Sequence, residues 1–122
     1  MKYFQLFRIA GVGNSITYDD GLKSTETEPK RLNAIHVQMD AYAATDDNDF
    51  QGWHERAKIF EMPERMIPSE LYTALASKLA EPRERVIPLD IDIPVGETFK
   101  AALKCSATGT KVRGFYEYEI LK

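Results

Sequence analysis

Two imidazoles, His36 and His54, are the side chains of this sequence best suited to acid–base work near neutrality. Chemistry at either needs company, in the form of a third metal ligand or a nucleophile held in register. The carboxylates nearest in sequence are Asp40 and Glu55, and no His-x-His, His-Glu-x-x-His or Cys-x-x-Cys spacing accompanies them. Both histidines therefore read as polar-face residues of strands. Asp46-Asp47-Asn48-Asp49 offers the oxygen donors that calcium takes. Counted from Asp46, an EF-hand loop would need glycine sixth and glutamate twelfth, where Gln51 and Ala57 stand. The stretch reads as a solvated turn, which Asp and Asn favour by local hydrogen bonding. Asp90 and Asp92 point the same way from one strand, roughly 7 Å apart by strand rise. A glycosidase pair of that separation needs a second wall and a cleft, so a solvated face is the reading preferred. Gly11-Val12-Gly13-Asn14 lacks the further glycine and the lysine of a phosphate loop, and no serine sits in a Gly-x-Ser-x-Gly turn. Cys105 falls on an apolar strand face and reads as a small buried hydrophobe. The sequence thus names no catalytic, cofactor-binding or metal-binding residue, and a non-enzymatic protein is expected.

The elements that would carry these residues are mostly strands. From Val86 to Leu121 three extended runs are cut by Pro94-Val95-Gly96 and by Ser106-Ala107-Thr108-Gly109-Thr110. Leu89, Ile91 and Ile93 alternate with Asp90 and Asp92. Phe99, Ala101, Leu103 and Cys105 lie opposite Lys100 and Lys104. Val112, Gly114, Tyr116, Tyr118 and Ile120 alternate with Arg113, Phe115, Glu117, Glu119 and Leu121. These read as adjacent antiparallel strands of a sheet with one wet face.

Upstream, residues 2–10 place Tyr3, Gln5, Phe7 and Ile9 against Phe4, Leu6, Arg8 and Ala10. Large apolar groups on both faces predict a central strand or one covered on both sides. Asn14 to Lys30 is polar, with Ile16, Tyr18 and Leu22 able to anchor a short edge strand and Ser24–Pro29 extended and solvated. Lys30–Tyr42 alternates again, with Asn33, Ile35, Val37, Met39 and Ala41 on the apolar side. A run from Phe50 through Trp53 to Phe60 follows, and the two strands predict a hairpin with a long acidic tip that carries one histidine on each strand. Ser69 can cap a helix from Glu70 to about Ala80, where Leu71, Leu75 and Leu79 form a stripe that Pro82 ends. Together these predict one domain over residues 1–122: an antiparallel β-sandwich with one short helix.

Composition narrows the function classes. At 122 residues, 43% hydrophobic and 29% charged, the chain suits a self-sufficient globular domain. The net charge of −3, with both signs interspersed, argues against direct nucleic-acid contact, and Tyr3, Tyr116 and Tyr118 lack the basic partners of a base-stacking ladder. The first residues carry Gln5 and Arg8 within their apolar run, so a mature first strand is expected, with neither a signal peptide nor a membrane span. A lone cysteine fits a reducing, cytoplasmic setting.

The pattern Ile87-Pro88-Leu89-Asp90, Ile93-Pro94-Val95-Gly96-Glu97 and Gly109-Thr110-Lys111-Val112-Arg113-Gly114-Phe115-Tyr116-Glu117-Tyr118 resembles the last strands of small jelly-roll structural proteins of virus and phage capsids. The resemblance covers about a third of the chain and is carried by six or seven strands where a jelly roll has eight. It implies a capsid or capsid-accessory subunit that forms homo-oligomers and contacts other shell proteins. Such a subunit would reside in the virion after assembly in the host cytoplasm. Two other readings stay open. One is a β-sandwich that binds a small molecule or carbohydrate at the hairpin tip or near Trp53. The other is a hydrolase using His36 or His54.

Overall fold

Alternating inward apolar and outward polar residues commit most of the described chain to strands. The computed structural model describes residues 2–40, 48–68 and 84–121. The strands are β1 (Lys2–Ala10), β2 (Ser15–Tyr18), β3 (Leu22–Lys23), β4 (Lys30–Met39), β5 (Asp49–His54), β6 (Ala57–Pro63), β7 (Arg85–Ile93), β8 (Thr98–Cys105) and β9 (Lys111–Ile120). Among the described residues the one helical element is a 3-10 turn at Glu64–Met66. The expected helix from Glu70 to Ala80 lies outside the described residues, as does the part of the acidic tip up to Asp47.

The strands form two antiparallel sheets. Sheet A runs β1-β9-β4-β7, and sheet B runs β2-β8-β5-β6 with β3 pairing β8 as well. β2 and β3 follow one another along the same edge of β8, so they act as a single interrupted strand. Counted that way there are eight strands, the first pairing the last, the second the seventh, the third the sixth and the fourth the fifth. That is an antiparallel ribbon folded over and wound into a jelly roll. The expected antiparallel β-sandwich is the architecture found.

Side chains from both inner faces fill the core. Sheet A contributes Phe7, Ile9, Leu32, Ile35, Val37, Met39, Ile93, Val112 and Tyr116; sheet B contributes Leu22, Phe50, Phe99, Ala101 and Leu103. Phe7 stacks on Phe50 across the sheets at 6.2 Å and leans on Tyr116 at 5.0 Å. The Tyr116 hydroxyl crosses the core to sheet B. There it accepts from the Ala101 N–H at 2.9 Å and donates to Asp19 Oδ2 at 2.8 Å. Burial and the neighbouring Asp19 charge push its phenol well above the ordinary tyrosine range.

Four expectations are corrected. The three carboxy-terminal strands keep the predicted faces but are not neighbours: β7 pairs β4, β8 pairs β2, β3 and β5, and β9 sits between β1 and β4. Each connection crosses from one sheet to the other, which alternation along a strand cannot register. The predicted hairpin of β4 with β5 is likewise absent, because these strands lie in different sheets. The chain folds back instead at Glu55-Arg56, where Glu55 takes φ 55 and β5 pairs β6. β1 is an edge strand with its second apolar face uncovered, Phe4 being 61% and Leu6 72% exposed. In β4 a bulge at Asn33 reverses the phase, so Leu32 and Ile35 both face inward.

The polar stretch after β3 is tied down as well. Ser24 is fully buried, and its hydroxyl accepts from the Lys30 N–H at 2.8 Å. Its N–H and C=O pair with Glu97 O at 3.1 Å and the Gly96 N–H at 2.9 Å. This holds the β7–β8 turn, in which Gly96 takes φ 90 and Glu97 N–H bonds Pro94 O at 3.0 Å.

Candidate functional site

The positions singled out for chemistry are dispersed over the sandwich. His36 and His54 stand on strands of different sheets. His36 Nδ1 lies 3.1 Å from Glu84 Oε2 and its Nε2 lies 3.0 Å from Glu117 Oε1. Both ring nitrogens are thus engaged by carboxylates of the protein itself. Lys2 Nζ is 3.4 Å from Glu117 Oε2. The His36 hydrogen bond, assisted by Lys2, holds the Glu117 carboxyl below the ordinary glutamate value against the opposing effect of burial. The arrangement clasps β4, β9 and the approach to β7. It does not present a reactive group. His54 Nε2 sits 2.7 Å from Glu97 Oε1 without the alignment of a hydrogen bond.

The carboxylate pair is also spoken for. Arg31 reaches Asp92 at 2.7 Å and Asp90 at 3.9 Å, an exposed ion cluster on the outer face of sheet A. The hydrogen bond to Asp92 holds the guanidinium charged. Asp90 itself takes φ 51 at the bulge of β7 against β4. From the acidic stretch, Asn48 is buried and far from solvated. Its side chain donates to Thr108 O at 3.0 Å and Thr110 Oγ1 at 3.1 Å and accepts from Ser106 N–H at 2.9 Å. Thr110 in turn donates to the buried Glu64 at 3.2 Å. These bonds knot the loops at one end of the sandwich. Cys105 is free and buried, as expected. Tyr116 is in the core, while Tyr3 stacks on Tyr118 at 5.6 Å with Lys30 over the latter ring at 5.8 Å. Among the described residues no group of three or more His, Cys, Asp or Glu converges as a metal site requires. No helix of the described residues is long and apolar enough to cross a membrane.

What the fold does assemble is a surface. Register places Leu6 opposite Phe115, Phe115 opposite His36 and His36 opposite Val86, one row across all four strands of sheet A. Phe4 packs edge-on against Phe115 at 5.2 Å, and Phe115 stacks on the His36 ring at 4.3 Å. The next row is Arg8, Arg113 and Gln38, and a cleft of about 310 Å³ lies between the rows. The inner side of this cleft depends on Gly114, where a methyl group would run into the His36 carbonyl oxygen and the Phe7 ring. A smaller platform lies on the outer face of sheet B. Tyr18 meets Trp53 edge-on at 6.0 Å, Trp53 Nε1 donates to Gln51 Oε1 at 2.9 Å, and Gln51 Nε2 donates to Glu61 at 2.5 Å.

Sequence reading missed the row because Phe4, Leu6, Phe115 and Val86 come from three strands whose adjacency no single run reveals. The signal present was the second apolar face of β1, taken there as coverage. No protein-family model, curated protein or solved structure matches the chain.

Proposed function

We propose that this protein is a non-enzymatic structural subunit of a virion or phage particle, a capsid or capsid-accessory component. It acts through self-assembly and contacts with neighbouring shell proteins, is put together in the host cytoplasm and resides in the virion. The observation that carries the reading is the apolar row on the outer face of sheet A, which begins on the edge strand β1. Contiguous exposed apolar surface of this kind marks protein contacts far more often than solvent. The jelly-roll winding adds support, since it is an architecture of capsid shells. Interspersed charge supports a role without direct nucleic-acid contact. Electron micrographs and sedimentation of concentrated protein test the reading. Regular particles, or incorporation into them, are expected. A chain that stays monomeric at every concentration and enters no particle overturns it.

A second reading, a binding module for a carbohydrate or other small molecule, is favoured by the Tyr18–Trp53 platform. Aromatic faces beside the charged side chains of Glu55, Arg56 and Lys100, which line the same opening, suit a sugar's apolar patches and hydroxyls. Glycan titration that quenches Trp53 fluorescence and raises the melting temperature supports it.

A further inference from the structure

β1 ends the order of sheet A, and among the described residues β9 is its only partner in that sheet. The Gly11 N–H donates to Thr110 O at 2.7 Å, one step beyond the Ala10–Lys111 pair. Hydrogen-bonded pairs alternate along an antiparallel ladder. Odd residues of β1 therefore bond to β9, while even residues turn N–H and C=O toward the free edge. The same even residues carry the outward side chains Phe4, Leu6 and Arg8. Against β9 the nine-residue strand runs without proline or bulge. Natural edges are normally blunted by such devices, and this one has only Lys2 and Arg8 at its ends.

We propose that β1 pairs antiparallel with β1 of a second copy, about a two-fold axis through Leu6, joining two A sheets into one eight-stranded sheet. Three registers bring the free groups of even residues together near the strand centre. Centring on Gln5 sets Lys2 opposite Arg8 of the second copy at both ends, a like-charge pairing that opposes association. Centring on Phe7 sets Leu6 opposite Arg8 and breaks the apolar row. Centring on Leu6 sets Leu6 against Leu6 and Phe4 against Arg8 of the second copy. The row Val86, His36, Phe115 and Leu6 then continues unbroken into its symmetry mate. Arg8, which has no ion-pair partner among the described residues, gains the face of an aromatic ring. A two-fold contact of this kind is self-complementary by construction.

The inference gives the assembly reading its first contact, and the two can fail separately. Sedimentation is expected to show a dimer for the parent and a monomer for Leu6→Pro. The Leu6 N–H faces the free edge, so proline there removes no bond to β9 and the melting curve should be kept. Position 4 reads the register. Phe4→Glu and Phe4→Lys remove the same ring, and Glu117 lies opposite position 4 on β9, so within one chain lysine is the better tolerated. Across the proposed dimer, glutamate meets Arg8 of the second copy. Dimerisation about tenfold tighter for Phe4→Glu than for Phe4→Lys is therefore expected. In addition, Leu6→Cys should form an oxidised dimer where Val12→Cys does not. A monomeric parent overturns the proposal, as does a dimer that favours lysine at position 4 or an equal yield of both cross-links. Dimers that neither build a particle nor enter one would keep this inference and end the shell reading. Particles that form equally from Leu6→Pro would do the reverse.

Discussion

His36 and Tyr116 show how single side chains tie this sandwich together, and both give predictions. The Glu117 carboxyl is held below 4.5, its ordinary value, chiefly by the His36 hydrogen bond. Between the ordinary and the lowered value, the unfolded chain binds a proton that the folded chain refuses. Stability from this group is thus present above pH 4.5 and lost as pH falls through the folded value. Urea denaturation across the acid range should show a shallower pH dependence in Glu117→Gln. The same flattening is expected in His36→Ala, which keeps the carboxylate but removes its donor; an unchanged slope there would remove His36 from the account. Tyr116→Phe strands the buried Ala101 N–H and leaves Asp19 Oδ2 with the Gly21 N–H alone, and a loss of about 1–3 kcal/mol is expected in chemical denaturation. Neither role was legible in sequence. Period two assigned Tyr116 to the inner face and His36 to the polar face, both correctly. The partners, however, are remote in the chain: Tyr116 meets Asp19 and Ala101, and His36 meets Glu84 and Glu117.

At the scale of elements, faces were readable and connections were not. Leu89, Ile91 and Ile93 turn inward as their spacing demands, and so do Phe99, Leu103 and Val112. Glu55 gave no warning of a turn because it is neither glycine nor asparagine, yet it holds a positive φ. The bulge at Asn33 likewise has no marker in composition, and it reverses every assignment before it in β4. Ser24–Pro29 misled in the opposite direction. It is polar, but Ser24 is a buried clasp on which the first residue of β4 and the β7–β8 turn both depend. Deleting residues 24–28 is therefore expected to abolish the cooperative melt, whereas a loop bathed in solvent would tolerate it. Gly96→Ala should cost about 1–2 kcal/mol, because a Cβ opposes the left-handed conformation that the turn imposes. No atom lies near enough to that position to obstruct a methyl group, so strain alone is measured.

For the whole molecule, the decisive fact is that the first strand pairs the last and the ribbon then folds inward pair by pair. A sandwich or barrel was predictable from several short strands separated by turns, because single-faced strands must bury their apolar side against one another. The order of strands within its sheets was not, since alternation says which face is apolar and nothing about which strand lies beside it. The same winding sets the folding behaviour. β9 occupies the middle of sheet A, bonded on one side to β1 and on the other to β4, and it carries Tyr116 into the core. Neither neighbour can complete its ladder until the end of the chain has arrived. Loop closure over nearly the whole length must precede most of the stabilising contacts, so refolding is expected on the order of milliseconds to seconds. A chain ending at Thr110 should show no cooperative transition in urea and no native circular dichroism. A truncated chain that still melted cooperatively would mean that sheet B and the remaining strands form a core of their own. In that case the pairing of first with last strand would be a late addition to the fold and not its organising contact.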